Sequence, residues 1–252
     1  MTPTRTAVIV PVHDEEELLG DCLSSIIVAT KAVRVPVEIV VALDACSDGS
    51  AGVAASAGVR TVELAARLVG AARRAGTTRA LELLDGEPRD LWLAHTDADS
   101  IVPPHWLAHQ LALRDAGADL VLGTVRPDFR GLSARHAAHW TATHPRGRPA
   151  ANVHGANLGL RADAYLAAGG FPAVAEHEDV ELVARARAAG AAVVVSDDGE
   201  VLTSARFTGR TPGGYAAFLR ALAADLDGGV PIDDPHVVRS VDSSPPTRNL
   251  VL

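Results

Sequence analysis

Asp97 and Asp99 stand one residue apart at the end of a short apolar run, Leu91-Trp92-Leu93-Ala94-His95. The run is long enough for one buried strand. In an extended segment alternate side chains point to one face, so the two carboxylates can converge just beyond the strand. Carboxylates that close repel unless a cation or a shared proton lies between them. Oxygen-only ligands suit a hard divalent ion such as Mg²⁺ or Mn²⁺, and such an ion holds a diphosphate well. A solvated acidic turn has the same composition, and the triplet alone does not separate the two readings. Its surroundings do.

The elements before this pair alternate in kind. Ala7-Val8-Ile9-Val10-Pro11-Val12 reads as a strand buried on both faces, as in a parallel sheet. Asp14 is placed to cap a helix over 15–29, with Leu18, Leu19, Cys22, Leu23, Ile26 and Ile27 at helical spacing. Residues 37–43 form a second strand, ending in Asp44-Ala45-Cys46-Ser47-Asp48-Gly49-Ser50 and a helix near 51–57. A third strand spans 60–64. Helices follow over 68–74, ended by Gly76, and over 78–84. This alternation is that of a mostly parallel α/β sheet, in which ligands bind beyond the carboxyl ends of the strands. Asp14 with Glu15, Asp44, and Asp97 with Asp99 all fall at such ends, so they should crowd one crevice.

Pro103-Pro104 opens a helix over 105–115, and 120–125 is a further strand. Residues 126–151 break the pattern with His136, His139, Trp140, His144, Arg146 and Arg148. They read as a helix and then a mobile Arg-rich loop over the crevice, near an anionic substrate; the His spacing fits no zinc set. Residues 152–161 form a strand with small residues where a ligand can approach backbone. A short helix over 162–168 and the turn Gly169-Gly170-Phe171-Pro172 follow. Glu176-His177-Glu178-Asp179 then leads a helix to residue 189, with three acids where capping needs one. Strands over 193–196 and 201–206 and a helix over 215–226 complete one domain, 1–226. The tail, 227–252, is expected to be ordered only in part.

At 252 residues the chain can build a substantial core. Its net charge of −8 argues against a nucleic-acid binder. Two cysteines, Cys22 and Cys46, form neither a disulfide framework nor a zinc set, and read as reduced thiols. The apolar stretch at 6–12 lacks the marks of a signal peptide, and no run approaches the roughly 18 residues that span a bilayer. A soluble cytoplasmic protein is expected, with contact at a membrane surface left open.

The ordered set, over about residues 6–222, resembles the family 2 glycosyltransferases with the GT-A nucleotide-sugar-binding fold. Val10-Pro11-Val12-His13-Asp14-Glu15 is similar to the family's opening Pro-x-x-Asn-Glu, with Asp14 in place of Asn. Val41-Ala42-Leu43-Asp44 is similar to its second-strand motif, and Ala72-Arg73-Arg74-Ala75-Gly76 to its Ala-Arg-Asn-x-Gly segment. Thr96-Asp97-Ala98-Asp99-Ser100, with Trp106-Leu107 after it, resembles the metal-diphosphate motif. Gly155-Ala156-Asn157, Gly169-Gly170-Phe171 and Glu178-Asp179 resemble the acceptor-side half.

The resemblance implies a nucleotide-diphospho-sugar donor whose base meets Pro11, His13, Glu15 and Asp44, with Arg73 near the nucleotide. It implies Mn²⁺ or Mg²⁺ on Asp99, with Asp97 on the ribose or the metal. Asp179 would be the catalytic base of an inverting transfer, and Glu178 would orient the acceptor or be that base itself. The nucleotide-binding half would be 1–125 and the acceptor half 126–226. The implied activity is of hexosyltransferase type. Members that depend on a metal also offer it a downstream His, for which no residue here is an obvious match; His236 lies in the tail. Arg206 and Arg210 read equally as phosphate contacts and as surface charge. The acceptor hydroxyl belongs to a small molecule, a glycan or a lipid-linked acceptor. Two other readings are kept: a nucleotidyltransferase making sugar nucleotides, disfavoured by acids where its basic phosphate loop belongs, and a non-catalytic binding protein of the same fold.

Overall fold

The computed structural model describes residues 5–209 and 214–228. Arg210, His236 and the tail from 229 on lie outside them. The chain runs β1 (Arg5–Val12), α1 (Leu19–Thr30), β2 (Val37–Asp44), α2 (Ser50–Ser56), β3 (Arg60–Leu64), α3 (Val69–Leu83), β4 (Leu91–His95), β5 (Ser100–Ile101), α4 (Trp106–Asp115), β6 (Leu120–Pro127), α5 (Ala134–Thr143), β7 (Leu158–Arg161), α6 (Ala162–Ala167), α7 (Glu178–Ala188), β8 (Val193–Thr203) and α8 (Tyr215–Gly228).

One mixed sheet carries all eight strands in the order β3-β2-β1-β4-β7-β6-β8-β5. β3, β2, β1 and β4 are mutually parallel. β7 enters antiparallel between β4 and β6, β8 pairs parallel with β6, and β5 closes the edge antiparallel. The chain leaves β1 toward β2 and β3 and returns to its other side as β4. This reversal opens a crevice at the carboxyl ends of β1 and β4.

Alternation along each strand divides the core. Val8, Val10, Val12, Trp92 and Ala94 join the layer of α1 and α4, while Ala7, Ile9, Leu91 and Leu93 join Ala80 of α3, Tyr165 of α6 and Leu182 of α7.

Several elements differ from the sequence expectation. α1 begins at Leu19, not at residue 15, and Asp14 does not cap it. Asp14 takes φ 51, and its Oδ1 accepts the amide of Ser47 at 2.6 Å. The second-strand loop has recruited that carboxylate. α3 continues through Gly76, where a Cβ would stand 2.7 Å from Ile9 Cγ2. The glycine sets how closely the helix approaches the sheet rather than ending it. Gly76→Ala is expected to destabilise by about 1–3 kcal/mol through overpacking, outweighing the roughly 1 kcal/mol gained in helix propensity. Urea unfolding checks the sign, and a more stable variant would contradict the packing account.

β8 is one bulged strand, not two, with its register shifting opposite Gly123 and Val125 of β6. Asn157 explains the irregularity. Its Nδ2 donates to the carbonyls of Thr124 and Gly199 at 2.8 Å each, and its Oδ1 accepts from Trp106 Nε1 at 2.8 Å. The same anchor confines the strand expected over 152–161 to β7, after a 3₁₀ turn at Gly155–Asn157.

Candidate active site

A cavity of about 450 Å³ lies beyond the strand ends. Pro11, Val12, His13 and Glu15 line it from β1 and its loop, Asp44 from the end of β2, Arg73 from α3, and Asp97, Ala98 and Asp99 from the turn after β4. Glu178 and Asp179 enter from the first turn of α7, and Thr203, Ser204 and Arg206 from the end of β8. Asp44, Asp99 and Asp179 thus share one wall system. Asp97 and Asp99 meet it from a turn, not from the extended segment the spacing suggests.

Asp44 is 3% exposed. Its Oδ1 accepts the amides of Ala66 and Arg67 at 2.7 and 2.8 Å, and its Oδ2 accepts that of Leu68 at 2.8 Å. The loop after β3 is wrapped around this carboxylate. His13 Nδ1 lies 2.6 Å from the carbonyl oxygen of Asp44, so that nitrogen carries the proton.

Arg73 is 2% exposed and joins two acids distant in sequence. Its Nε donates to Glu178 Oε1 at 2.9 Å and its Nη2 to Asp97 Oδ1 at 2.5 Å. Burial opposes its charge, but Asp97 and Glu178 overcome that and hold it protonated. Gly155 has no room for a Cβ because the Arg73 guanidinium lies against it. Burial raises the Glu178 carboxyl above its ordinary range, with Arg73 opposing and Asp179 adding. Asp179 is half-buried. Its Oδ2 accepts the amide of Gly155 at 2.7 Å and its Oδ1 that of Val180 at 2.8 Å, which fixes the carboxylate's orientation.

Burial pushes the Asp99 carboxyl up to about 6; Arg206 opposes the rise, and Asp97 and Glu15 add to it. Arg206 Nη2 lies 3.0 Å from Asp99 Oδ2, and the two Nη atoms reach Glu15 Oε2 and Oε1 at 2.8 and 2.6 Å. A guanidinium therefore stands where a cation between Glu15 and Asp99 would be favoured. With oxygen donors only, the group fits a hard divalent ion. Arg206→Ala is expected to tighten Mn²⁺ binding severalfold without nucleotide, by removing a competing cation. It should also cost roughly 1–3 kcal/mol of stability, because Glu15 is left buried and unneutralised. Calorimetric Mn²⁺ titration alongside thermal melting tests both; unchanged or weaker Mn²⁺ binding would count against the competition.

Some expected residues lie elsewhere. Asp14 is absent from the cavity lining. With Cys46 and Asp48 it forms a group whose ligand atoms lie within 4.8 Å of one another, where an ion could sit. Both carboxylates there already accept loop amides, Asp14 from Ser47 and Asp48 from Glu16 and Ser50. No residue of the expected lid, 126–151, lines the cavity among the described residues. Trp140 of α5 instead meets Tyr215 and Phe218 of α8, and Arg146 and Arg148 are exposed. Sequence reasoning missed Arg67, Leu68, His177 and Tyr215 as lining residues. Nothing local marks them. The loop at 66–68 reaches the cavity because Asp44 draws its amides inward.

Among the described residues no helix is long and apolar enough to cross a membrane.

A profile of the family described as Glycosyl transferase family 2 matches residues 7–165. A search of curated proteins by sequence finds no match. Among solved structures the chain is similar to residues 1–349 of TarS from S. aureus in complex with UDP-GlcNAc, with TM-score 0.62 at 17% identity, covering 88% of this chain and 66% of that one. It is similar to the mannosyltransferase PcManGT from Pyrobaculum calidifontis in complex with GDP-Man and Mn²⁺, with TM-score 0.61 at 22% identity, covering 88% and 62%. It is also similar to glucosyl-3-phosphoglycerate synthase from Mycobacterium tuberculosis in complex with Mn²⁺, UDP and glucosyl-3-phosphoglycerate, with TM-score 0.56 at 18% identity, covering 91% and 81%. The chain therefore spans less than two thirds of the length of the first two. At these identities the likeness shows a shared GT-A fold.

Proposed function

The chain belongs to glycosyl transferase family 2, and on that premise we propose that it is a metal-dependent, inverting glycosyltransferase of hexosyltransferase type. It moves a sugar from a nucleotide-diphospho-sugar to an acceptor hydroxyl. The observation that carries this reading is the meeting of Asp44, Asp97, Asp99, Glu178 and Asp179 around one cavity.

Residues 1–125 form the donor-binding half and 126–226 the acceptor-binding half, apart from Arg206, which reaches across to the donor side. The base lies against Pro11, His13 and Asp44, with Glu15 nearby. Asp99, with Asp97, holds Mn²⁺ or Mg²⁺, which when bound supplies positive charge to the leaving diphosphate. Arg206 faces the same space and offers N–H groups to phosphate oxygens. Asp179, oriented by the amides of Gly155 and Val180, takes the acceptor's proton as its oxygen attacks the anomeric carbon. Glu178 acts through Arg73, which holds Asp97 in place. The site works in the cytoplasm or at a membrane surface facing it, and its acceptor is a small molecule, a glycan or a lipid-linked acceptor.

Incubation of the purified protein with Mn²⁺ and a panel of sugar nucleotides tests the proposal. Slow release of nucleoside diphosphate, with anomeric inversion of the product by NMR, is the expected result. Pyrophosphate release from a nucleoside triphosphate and a sugar phosphate would overturn it. Binding of sugar nucleotides without turnover would reduce the protein to a binding module.

A further inference from the structure

We propose that α5, the loop after it and Phe207 form a docking surface for an anionic membrane. Such docking needs neither donor nor metal, so it goes beyond the proposed function and stands or falls separately from it.

The charge here runs against the rest of the chain. Residues 126–151 hold five arginines and one acid, Asp128, in a protein whose net charge is −8. Two of the five are neutralised within the fold, Arg126 by Glu200 at 3.2 Å and Arg130 by Asp128 at 2.5 Å. Arg135, Arg146 and Arg148 are exposed and make no ion pair among the described residues. α5 buries His136 and Trp140 and so turns Arg135 outward. Beyond its end, Asp197 Oδ2 accepts the amide of Gly147 at 2.5 Å, which ties the loop carrying Arg146 and Arg148 to β8.

Exposed arginines alone are commonly just solvated. The second observation is Phe207, a large apolar side chain left 37% exposed. Its ring lies 6.4 Å from that of His136, the neighbour of Arg135, and its carbonyl accepts from Nη1 of the exposed Arg220 on α8. An aromatic ring bordered by guanidiniums suits the boundary of a bilayer, where the ring meets acyl chains and the cations meet phosphates. A soluble polyanion would attract the arginines equally but would gain nothing from the ring. The acidic remainder of the chain is repelled by anionic headgroups, which leaves this face as the one that docks. The surface adjoins the cavity, because the cavity-lining Tyr215 meets Trp140 of α5 with ring centroids 6.2 Å apart. That docking would favour a lipid-linked acceptor is a corollary, and it rests on the proposed function.

Flotation of the full chain with phosphatidylglycerol vesicles, against phosphatidylcholine vesicles, tests the proposal. The parent is expected to float with phosphatidylglycerol alone and to be released as salt is raised. The combined variant Arg135→Gln, Arg146→Gln and Arg148→Gln is expected to melt like the parent and to bind phosphatidylglycerol vesicles at least about tenfold more weakly. If it melts well below the parent, the single loop variants Arg146→Gln and Arg148→Gln carry the same comparison. Phe207→Ser is expected to weaken vesicle binding severalfold and to leave any binding of soluble polyphosphate unchanged. A parent that does not float, or folded arginine variants that float like the parent, overturns the proposal. Phe207→Ser floating like the parent also overturns it, and points to a soluble polyanion as the partner. No nucleotide is present in any arm, so none of these failures touches the proposed function.

Discussion

Asp179→Asn is expected to lower sugar transfer by about 10²–10⁴-fold while leaving nucleoside diphosphate affinity within about twofold of the parent. The substitution keeps the side chain's size but removes the charge and the proton affinity a general base needs. Two amides hold the parent carboxylate, from Gly155 and from Val180. Asn can accept only one of them on oxygen, so a modest fall in melting temperature should accompany the loss of rate. Glu178 is the poorer base on geometry, because it is 5% exposed and its Oε1 is engaged by Arg73. Steady-state rates measured beside calorimetric nucleotide binding separate the possibilities. Transfer retained within tenfold would show that the base lies elsewhere. Loss of nucleotide binding would place Asp179 in the donor site.

Asp99→Ala should abolish the Mn²⁺-dependent part of the stabilisation conferred by a nucleoside diphosphate. With ligand at 100-fold its dissociation constant that stabilisation is about 2.7 kcal/mol, or about 5–10 °C in melting temperature for a domain of this size. The apo protein should tolerate the change. Burial, Asp97 and Glu15 all work against charge at Asp99, and Arg206 keeps its bidentate pairing with Glu15 when Asp99 is gone. A folded variant with an unaltered parent melting point and no Mn²⁺ response is the expected outcome. A full Mn²⁺ response in Asp99→Ala would remove Asp99 from the metal site. Loss of the apo fold would show that the carboxylate is structural.

Much of this architecture is legible in the residue order, for physical reasons that differ by segment. Unbroken apolar runs such as Ala7-Val8-Ile9-Val10 can be buried on both faces only inside a sheet covered by helices, and β1 has that environment. The acids at the ends of β1, β2 and β4 follow from parallel strands sharing one carboxyl edge. Helix boundaries were less legible. Gly76 reads as a terminator in isolation, yet its lack of a side chain serves a close approach to Ile9. Asp14 reads as a cap, yet Ser47 and Asp48 offer it amides from another loop. Residues 193–196 and 201–206 read as two strands, yet the chain between them continues β8 as a bulge where Asn157 bonds the Gly199 carbonyl.

Local pattern sets strand, helix and turn, because backbone preference and apolar spacing act within a few residues of one another. It therefore determined an α/β sheet with acids along one rim. Which cation answers which acid is decided only in three dimensions: Arg206 meets Glu15 across 191 positions and Arg73 meets Glu178 across 105. Such pairs depend on how layers stack and on where burial leaves a charge uncompensated, and neither quantity is written in any one stretch of chain.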